Sequence, residues 1–295
     1  MVEKRKGFQI LANIVLMTLA LFCLLPFLLL IISSFTDELT LTRNGYSFFP
    51  AKISLDAYKY LLVDSTSIIK GYTISAGVTI AGTLANLFLT VLFAYPLSRK
   101  DLPGRQIFSF FIFFTMLFNG GLVPSYIMWT QTFHIKNTWY AYLLPGLMMS
   151  AFYVIMMRTY FCNSIPDAVL EAAKMDGAGE LYILTRIVLP MSVPIVATVT
   201  LLVGLAYWND WMNGLYYINK DTMLSIQTLL NKMLMDVQFL VSNTQSSAAI
   251  NQNIVLPSTG IKMAIAVMGA VPILIVYPFF QRYFIKGIII GAVKG

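Results

Sequence analysis

The sequence predicts an all-α membrane protein with six transmembrane helices and both termini on the cytoplasmic side. Three observations carry that expectation. The composition is 58% hydrophobic and only 11% charged, with a mean hydropathy of +0.75, too apolar for a soluble domain of 295 residues. The apolar residues fall in six stretches without Asp, Glu, Lys, Arg or His: Gly7 to Thr36, Gly71 to Ser98, Gln106 to Phe133, Asn137 to Met157, Ile187 to Asn209 and Met263 to Gln281. A helix needs roughly 20 residues to cross about 30 Å of hydrocarbon. Five of the six reach 20 and the last has 19. The third observation is charge placement. With the N-terminus inside, 12 of the 20 Lys and Arg residues lie on the cytoplasmic side, crowded against the spans at Lys4, Arg5, Lys6, Arg99, Lys100 and Arg105.

Taken in order, the spans are expected at residues 9–33, 71–98, 106–131, 138–160, 187–208 and 263–284. The first follows a basic start, yet its apolar run is too long for the core of a cleaved signal, about 7 to 15 residues. Cys23 within it follows bulky Leu21 and Phe22, which do not suit lipidation, and is expected to pack in the core. Cys162 sits at another depth, so no disulfide is expected. The third span contains Asn119, Gly120, Gly121 and Pro124, which weaken a helix. Freed carbonyls are tolerated in a membrane only inside protein or beside water, so a path-lining break and a simple bend are both open. Between spans three and four the outer loop has only Lys136 and a neutral His134. The sixth span carries Pro272 and Pro278 as kinks and Arg282 and Lys286 as anchors. Two outer excursions remain, residues 37–70 and a long polar loop over 210–262.

One charged segment, residues 163–189, stands between spans four and five. It reads Glu171-Ala172-Ala173-Lys174-Met175-Asp176-Gly177 and, after nine residues, Ile187-Val188-Leu189-Pro190. Ile165, Ala168, Val169, Ala172 and Met175 form an apolar stripe at helical spacing, narrow enough to lie in a groove. Ser164 with Asp167 three residues on reads as a capping box, Pro166 suits a first turn, and Gly177 can end the helix in the left-handed conformation. These features describe a docking element with small alanines for close approach and carboxylates for a basic partner.

That pattern resembles the EAA coupling-loop signature of binding-protein-dependent ABC importer permeases, and every fixed position of it is matched. Ser164-Ile165-Pro166, Trp208-Asn209-Asp210 and the tail Gly291-Ala292-Val293-Lys294-Gly295 extend the resemblance to the carbohydrate branch, similar to the second membrane subunit of the maltose importer. The run from Phe118 to Pro124 looks like a subgroup that imports oligosaccharides from complex polysaccharides. The resemblance covers most of the chain. It implies a type I ABC importer permease fold, a single transmembrane domain over residues 1–295 in the cytoplasmic membrane of a prokaryote, and alternating access. It also implies the partners: a second homologous permease, two ATP-binding subunits that hold ATP and Mg²⁺, and an extracytoplasmic sugar-binding protein that delivers the oligosaccharide. It assigns contact with the ATP-binding subunits to Pro166, Val169, Glu171, Ala172, Ala173, Met175, Asp176, Gly177 and Leu181, and to Lys294 and Gly295 at the tail.

Several classes are disfavoured. No Gly-x-x-x-x-Gly-Lys-Ser/Thr loop is present, so nucleotide hydrolysis belongs to another chain. A single His and two distant Cys give neither a metal site nor a nucleophile–base set. The expected spans carry no midplane charge of the kind an ion-coupled carrier uses. The net charge of +7 is dispersed between spans and forms no phosphate-tracking stripe, so no nucleic acid is expected as partner. A substrate path is then lined by uncharged or interfacial groups, with Asn119, Tyr126, Tyr153, Tyr207, Trp208, Asn209, Asp210 and Trp211 as candidates. The cluster from Tyr207 to Trp211, with Tyr216 and Tyr217, reads first as an interfacial aromatic belt beside lipid and second as a stacking platform for sugar rings. Two other functions stay open: a permease for a different solute, such as an amino acid or polyamine, and a non-transporting membrane anchor or sensor for an ATPase.

Overall fold

The structure, a computed structural model, describes residues 6–246 and 258–292. Fifteen α-helical segments follow one another there: α1 Lys6–Ser34, α2 Glu38–Asn44, α3 Asp56–Leu61, α4 Ser65–Ser98, α5 Arg105–Leu117, α6 Leu122–Ile127, α7 Tyr140–Leu143, α8 Ala151–Ser164, α9 Asp167–Met175, α10 Glu180–Ile183, α11 Leu189–Met191, α12 Val193–Trp208, α13 Met212–Tyr217, α14 Ile226–Ser246 and α15 Ser258–Ala292. Among the described residues the extended pairing is limited to one isolated bridge, Thr36 with Ile53. Among the described residues three helices are long and apolar enough to cross a bilayer by themselves: Gly7–Ser34, Ser65–Ser98 and Thr259–Gln281. Two bent pairs also reach that length, Arg105–Leu117 with Leu122–Thr132 at 108° and Glu180–Met191 with Val193–Trp208 at 83°. Both bends sit where the backbone chemistry permits them. Gly121, at φ +84°, precedes α6 and donates its N–H to Asn119 Oδ1 at 2.8 Å, and Ser192 is followed by a helix with Pro194 in its first turn.

The chain divides into two units, residues 1–68 with 230–272 and residues 69–229 with 273–295. In the first, the Glu38 carboxylate accepts the backbone N–H groups of Thr259 and Gly260 at 2.9 and 2.8 Å, capping the start of α15. Ser34 and Tyr58 share a hydrogen bond of 2.8 Å beside the stacked rings of Phe35 and Tyr58. The side chains of α1 remain on the outside along its apolar length, Cys23 included, so that cysteine is a surface residue and not the core residue expected.

The second unit departs most from the expected spans. The stretch 138–160 is not one helix: α7 has 4 residues, an irregular segment follows, and α8 has 14, about 21 Å of rise. The irregular backbone is held by polar side chains from three other helices. Asn86 of α4 donates to the carbonyl of Leu147 at 2.6 Å, Tyr207 of α12 to Leu143 at 2.9 Å, and Asn213 of α13 to Pro145 at 3.0 Å. Gly146 takes φ +73° between them. Carbonyls stripped of helical partners are thus satisfied inside protein. The expected polar loop 210–262 is also largely helical where described, because α14 starts with buried Ile226, Leu229 and Leu230. Residues 247–257 lie outside the described part.

Gly82 of α4 faces the ring of Tyr207 so closely that a Cβ there would overlap it, whereas a Cβ at Gly77 meets only Trp139 at 3.6 Å. Gly82→Ala is therefore expected to lower the stability of the solubilised protein by about 1–3 kcal/mol. Gly77→Ala, an ordinary helix substitution, leaves it equal or higher. Thermal unfolding in detergent checks the pair, and equal melting of both variants would remove the packing argument.

Candidate functional site

The segment 163–189 forms a knob outside the long helices. The chain leaves α8 at Ser164, buries Ile165 and turns at Pro166, whose φ of −65° and ψ of 132° place it as the residue before α9. No side chain caps α9, and Ser164 still belongs to α8, so the capping box expected from Ser164 and Asp167 does not form. The C-terminal stop does form. Gly177 stands at φ +78°, its N–H bonds the carbonyl of Lys174 at 3.0 Å, and the Ala178 N–H bonds that of Ala173 at 2.9 Å. This pair of bonds is the Schellman stop, and the αL position it needs is why glycine stands there. The chain then enters α10, passes through a π-helical stretch at Leu184–Val188, and reaches the bend at Ser192.

None of the residues of α9 is buried. Val169, Glu171, Ala172, Met175 and Asp176 are exposed, with Met175 at 89%, while Ala173 is half-buried. Leu181 and Tyr182 of α10 extend the apolar surface at 71% and 58% exposure. A short helix with no buried residue and with exposed apolar side chains on it is surface available to another body. Pro166 and Gly177, both exposed, bound this knob, whereas Lys294 and Gly295 lie outside the described residues.

Electrostatics fix the knob to the turn between α4 and α5, a connection the sequence did not announce. Asp167 at the start of α9 pairs with Lys100 at 2.6 Å, and Lys174 in its last turn pairs with Asp101 at 2.6 Å and Glu180 at 2.9 Å. Glu180 also accepts the hydroxyl of Tyr95 and lies 4.0 Å from Arg99, which itself meets Asp101 at 3.5 Å. The hydrogen bond from Tyr95, then Lys174 and Arg99, hold the Glu180 carboxyl below its ordinary range. Lys174 does the same for Asp101, while Asp101 and then Glu180 push the Lys174 ammonium up. The carboxylates contribute stability above their unfolded pKa, near 4, and lose it as pH falls through their lowered folded values. The lysine contributes below its unfolded pKa, near 10.5, and loses it only above its raised folded value. The clasp is therefore closed across the whole neutral range.

The path candidates are not brought into one site. Asn119 is exposed in the break before α6. Tyr126 stacks on Tyr217 at 5.8 Å and its hydroxyl accepts from Lys136 at 3.4 Å. Tyr153 makes an edge contact with Phe152. Tyr207 is buried against Gly82, so in this structure it is a packing residue, and Trp208 stacks on Tyr72 at 6.2 Å. Asn209 is exposed and bonds back to Leu205, Trp211 is 37% exposed, and Asp210 Oδ1 accepts the Asn213 N–H at 3.1 Å. Burial pushes the Asp210 carboxyl above its ordinary range.

Comparison with known proteins places this geometry. Residues 86–290 match the family described as binding-protein-dependent transport system inner membrane component. The chain is 37% identical over 293 residues to the polygalacturonan/rhamnogalacturonan transport system permease protein YtcP of Bacillus subtilis (strain 168), covering 99% of this chain and 100% of that one. It is 36% identical to protein LplC of the same organism, over 92% of this chain and 90% of that relative. Among solved structures it is similar, with a TM-score of 0.77 and 30% identity over 96% of this chain and 99% of the other, to a chain of a bacterial ABC transporter involved in the import of the acidic polysaccharide alginate.

The clasp makes a direct prediction. Lys174→Glu is expected to free the Arg99–Asp101 turn and raise tryptic cleavage there roughly two- to fivefold, the range a surface ion pair supports. Lys174→Arg, which keeps the charge on α9 and adds no cleavage site to the turn, is expected to keep the protection. Unchanged cleavage in the Lys174→Glu variant on inside-out vesicles would show that the clasp holds nothing.

Proposed function

The chain belongs to the family of inner membrane components of binding-protein-dependent transport systems, and on that premise we propose that it is the permease subunit of an ATP-driven importer of oligosaccharides. The single observation that carries the mechanism is the open knob of α9, stopped by Gly177 and clasped to the α4–α5 turn. The substrate class is supported by the relatives, named for transport of polygalacturonan and rhamnogalacturonan and for import of alginate. The assembly is a heterodimer with a second homologous permease, two ATP-binding subunits on the cytoplasmic side, and an extracytoplasmic binding protein that delivers the sugar. ATP and Mg²⁺ act in the ATP-binding subunits, and this chain contributes no nucleotide site.

In this reading six spans cross the membrane with both termini inside, and α9 seats in a groove of one ATP-binding subunit. Val169, Ala172 and Met175 supply the apolar contact, Ala173 lets the surfaces approach, and Glu171 and Asp176 face basic groups of the partner. Pro166 and Gly177 set the angles at which the helix enters and leaves. Displacement of α9 then passes in two directions: through Ile165 into α8, and through Lys174, Glu180 and the π-helical stretch into α12. The clasp adds a third, from Asp167 and Lys174 to the α4–α5 turn. Opening the cavity outward and inward in turn moves the sugar along neutral groups, with Asn119, Tyr126, Tyr153, Trp208, Asn209 and Trp211 as the candidates to line its way.

Glu171→Lys and Gly177→Pro are expected to leave the complex assembled in the membrane while sugar uptake falls about tenfold or more, with ATP hydrolysis no longer stimulated by the loaded binding protein. Gly177→Pro removes the N–H that closes the stop and cannot adopt φ +78°. Uptake and ATPase assays on reconstituted complexes check this. Wild-type uptake in a well-expressed Gly177→Pro variant would refute the role of the knob.

A further inference from the structure

A cavity of about 940 Å³ opens between the start of α5 and the body of α8. Its polar end is built from two arginines. Arg105 and Arg158 each donate Nε to the same carbonyl, Leu97 at the end of α4, at 2.9 and 3.0 Å. Both are half-buried, and among the described residues neither forms an ion pair with a carboxylate; Arg105 Nη2 reaches only Cys162 Sγ at 3.8 Å. Lys100 also borders the cavity, but Asp167 takes its ammonium. The Ser109 hydroxyl, buried on the wall, has no partner. The other walls are apolar, with Ile107, Phe110 and Phe113 at 62%, 59% and 47% exposure.

Two guanidiniums oriented through Nε keep their Nη donors for a second acceptor, and half-buried cations without a counter-ion are costly. A buried hydroxyl without a partner asks for the same acceptor. An apolar wall leading from them along a membrane helix does not suit a small soluble anion. It suits a molecule with a phosphodiester at one end and hydrocarbon at the other. We propose that this cavity is a binding site for an anionic phospholipid, with its phosphate held by Arg105, Arg158 and the Ser109 hydroxyl and its acyl chains along Ile107, Phe110 and Phe113. The lipid would stabilise the joint between α4, α5 and α8 on which the knob stands.

The test uses the complete complex with its partner subunits, stripped of lipid and re-exposed to phosphatidylglycerol, phosphatidylethanolamine or inorganic phosphate. Bound lipid is counted by native mass spectrometry and located with a photoreactive phosphatidylglycerol. The expected result is a preference for phosphatidylglycerol of about thirtyfold, the worth of two basic residues at an anionic surface, with labels on residues 105–113. Arg105→Gln with Arg158→Gln is expected to abolish the preference, and Ser109→Ala, a milder change, to leave it in place while weakening retention of phosphatidylglycerol about two- to threefold. Equal retention of the two lipids by the wild type would overturn the proposal. So would labels confined elsewhere because the second permease covers the cavity, or full displacement of the lipid by millimolar phosphate, which would mark a site for a free anion.

Discussion

The requirement that every backbone polar group find a partner away from water governs this molecule more than any single apolar contact. Seven residues between α7 and α8 leave the helical ladder where the sequence expects a span, and three side chains take carbonyls there, two within the break and one at Leu143, the last residue of α7. Asn86, Tyr207 and Asn213 come from α4, α12 and α13, so the irregular segment binds three helices at one place. The pattern extends outward: Tyr142 donates to the carbonyl of Met223 and accepts the Ser225 N–H, and Ser75 accepts that of Ile226. A continuous span would have satisfied its own backbone and tied to its neighbours only by packing. The broken one is fastened by directional bonds.

That fastening makes sense of how the knob is carried. The pairs of the clasp are solvent-exposed and individually weak, so they do not hold the protein together. Their arrangement matters more than their strength. Asp167 and Lys174 stand at opposite ends of α9, and their partners Lys100 and Asp101 are adjacent in one turn. Two tethers at the ends of a rod resist rotation as well as translation, which a single tether cannot do. Lys174 is shared with Glu180, so the helix beyond Gly177 is drawn to the same point.

The sequence made legible what is local. The Gly177 stop, the open helix from Asp167 to Met175, and the helix break at Gly121 all follow from residues within a few positions of each other. What stayed hidden needed distant partners. A charge-free run from Asn137 to Met157 looks the same whether it forms one continuous helix or a broken one, and the distant side chains of Asn86, Tyr207 and Asn213 hold the second. The helix in the polar stretch after Asp210 is a different case: Ile226, Leu229, Leu230 and Val237, all buried, fall at helical spacing, a signal that the expectation of a polar loop passed over. The clasp was invisible for the same reason as the break. Lys174 sits at a variable place inside a recognised signature, and Asp101, 73 residues away, has no signature at all.

The lack of midplane charge in the expected spans then becomes a statement about energy. A carrier driven by protons or sodium places an ionisable group where the ion must bind, and such a group is costly enough in hydrocarbon to be kept only for that use. Here charged residues gather at helix ends and turns, where they orient a surface helix and hold one another. In the proposed importer, energy from outside the membrane enters as displacement of that surface helix. It can be delivered only if the receiving helices shift between discrete arrangements, since packed interiors do not deform continuously. The 83° bend at Ser192 and the π-helical stretch before it lie directly between α9 and α12. A π turn carries one residue too many for a straight helix and relaxes by passing it along. In the proposed importer it is the element that converts a push on the knob into a tilt of α12, while α8 receives the same push through buried Ile165 with no such slack.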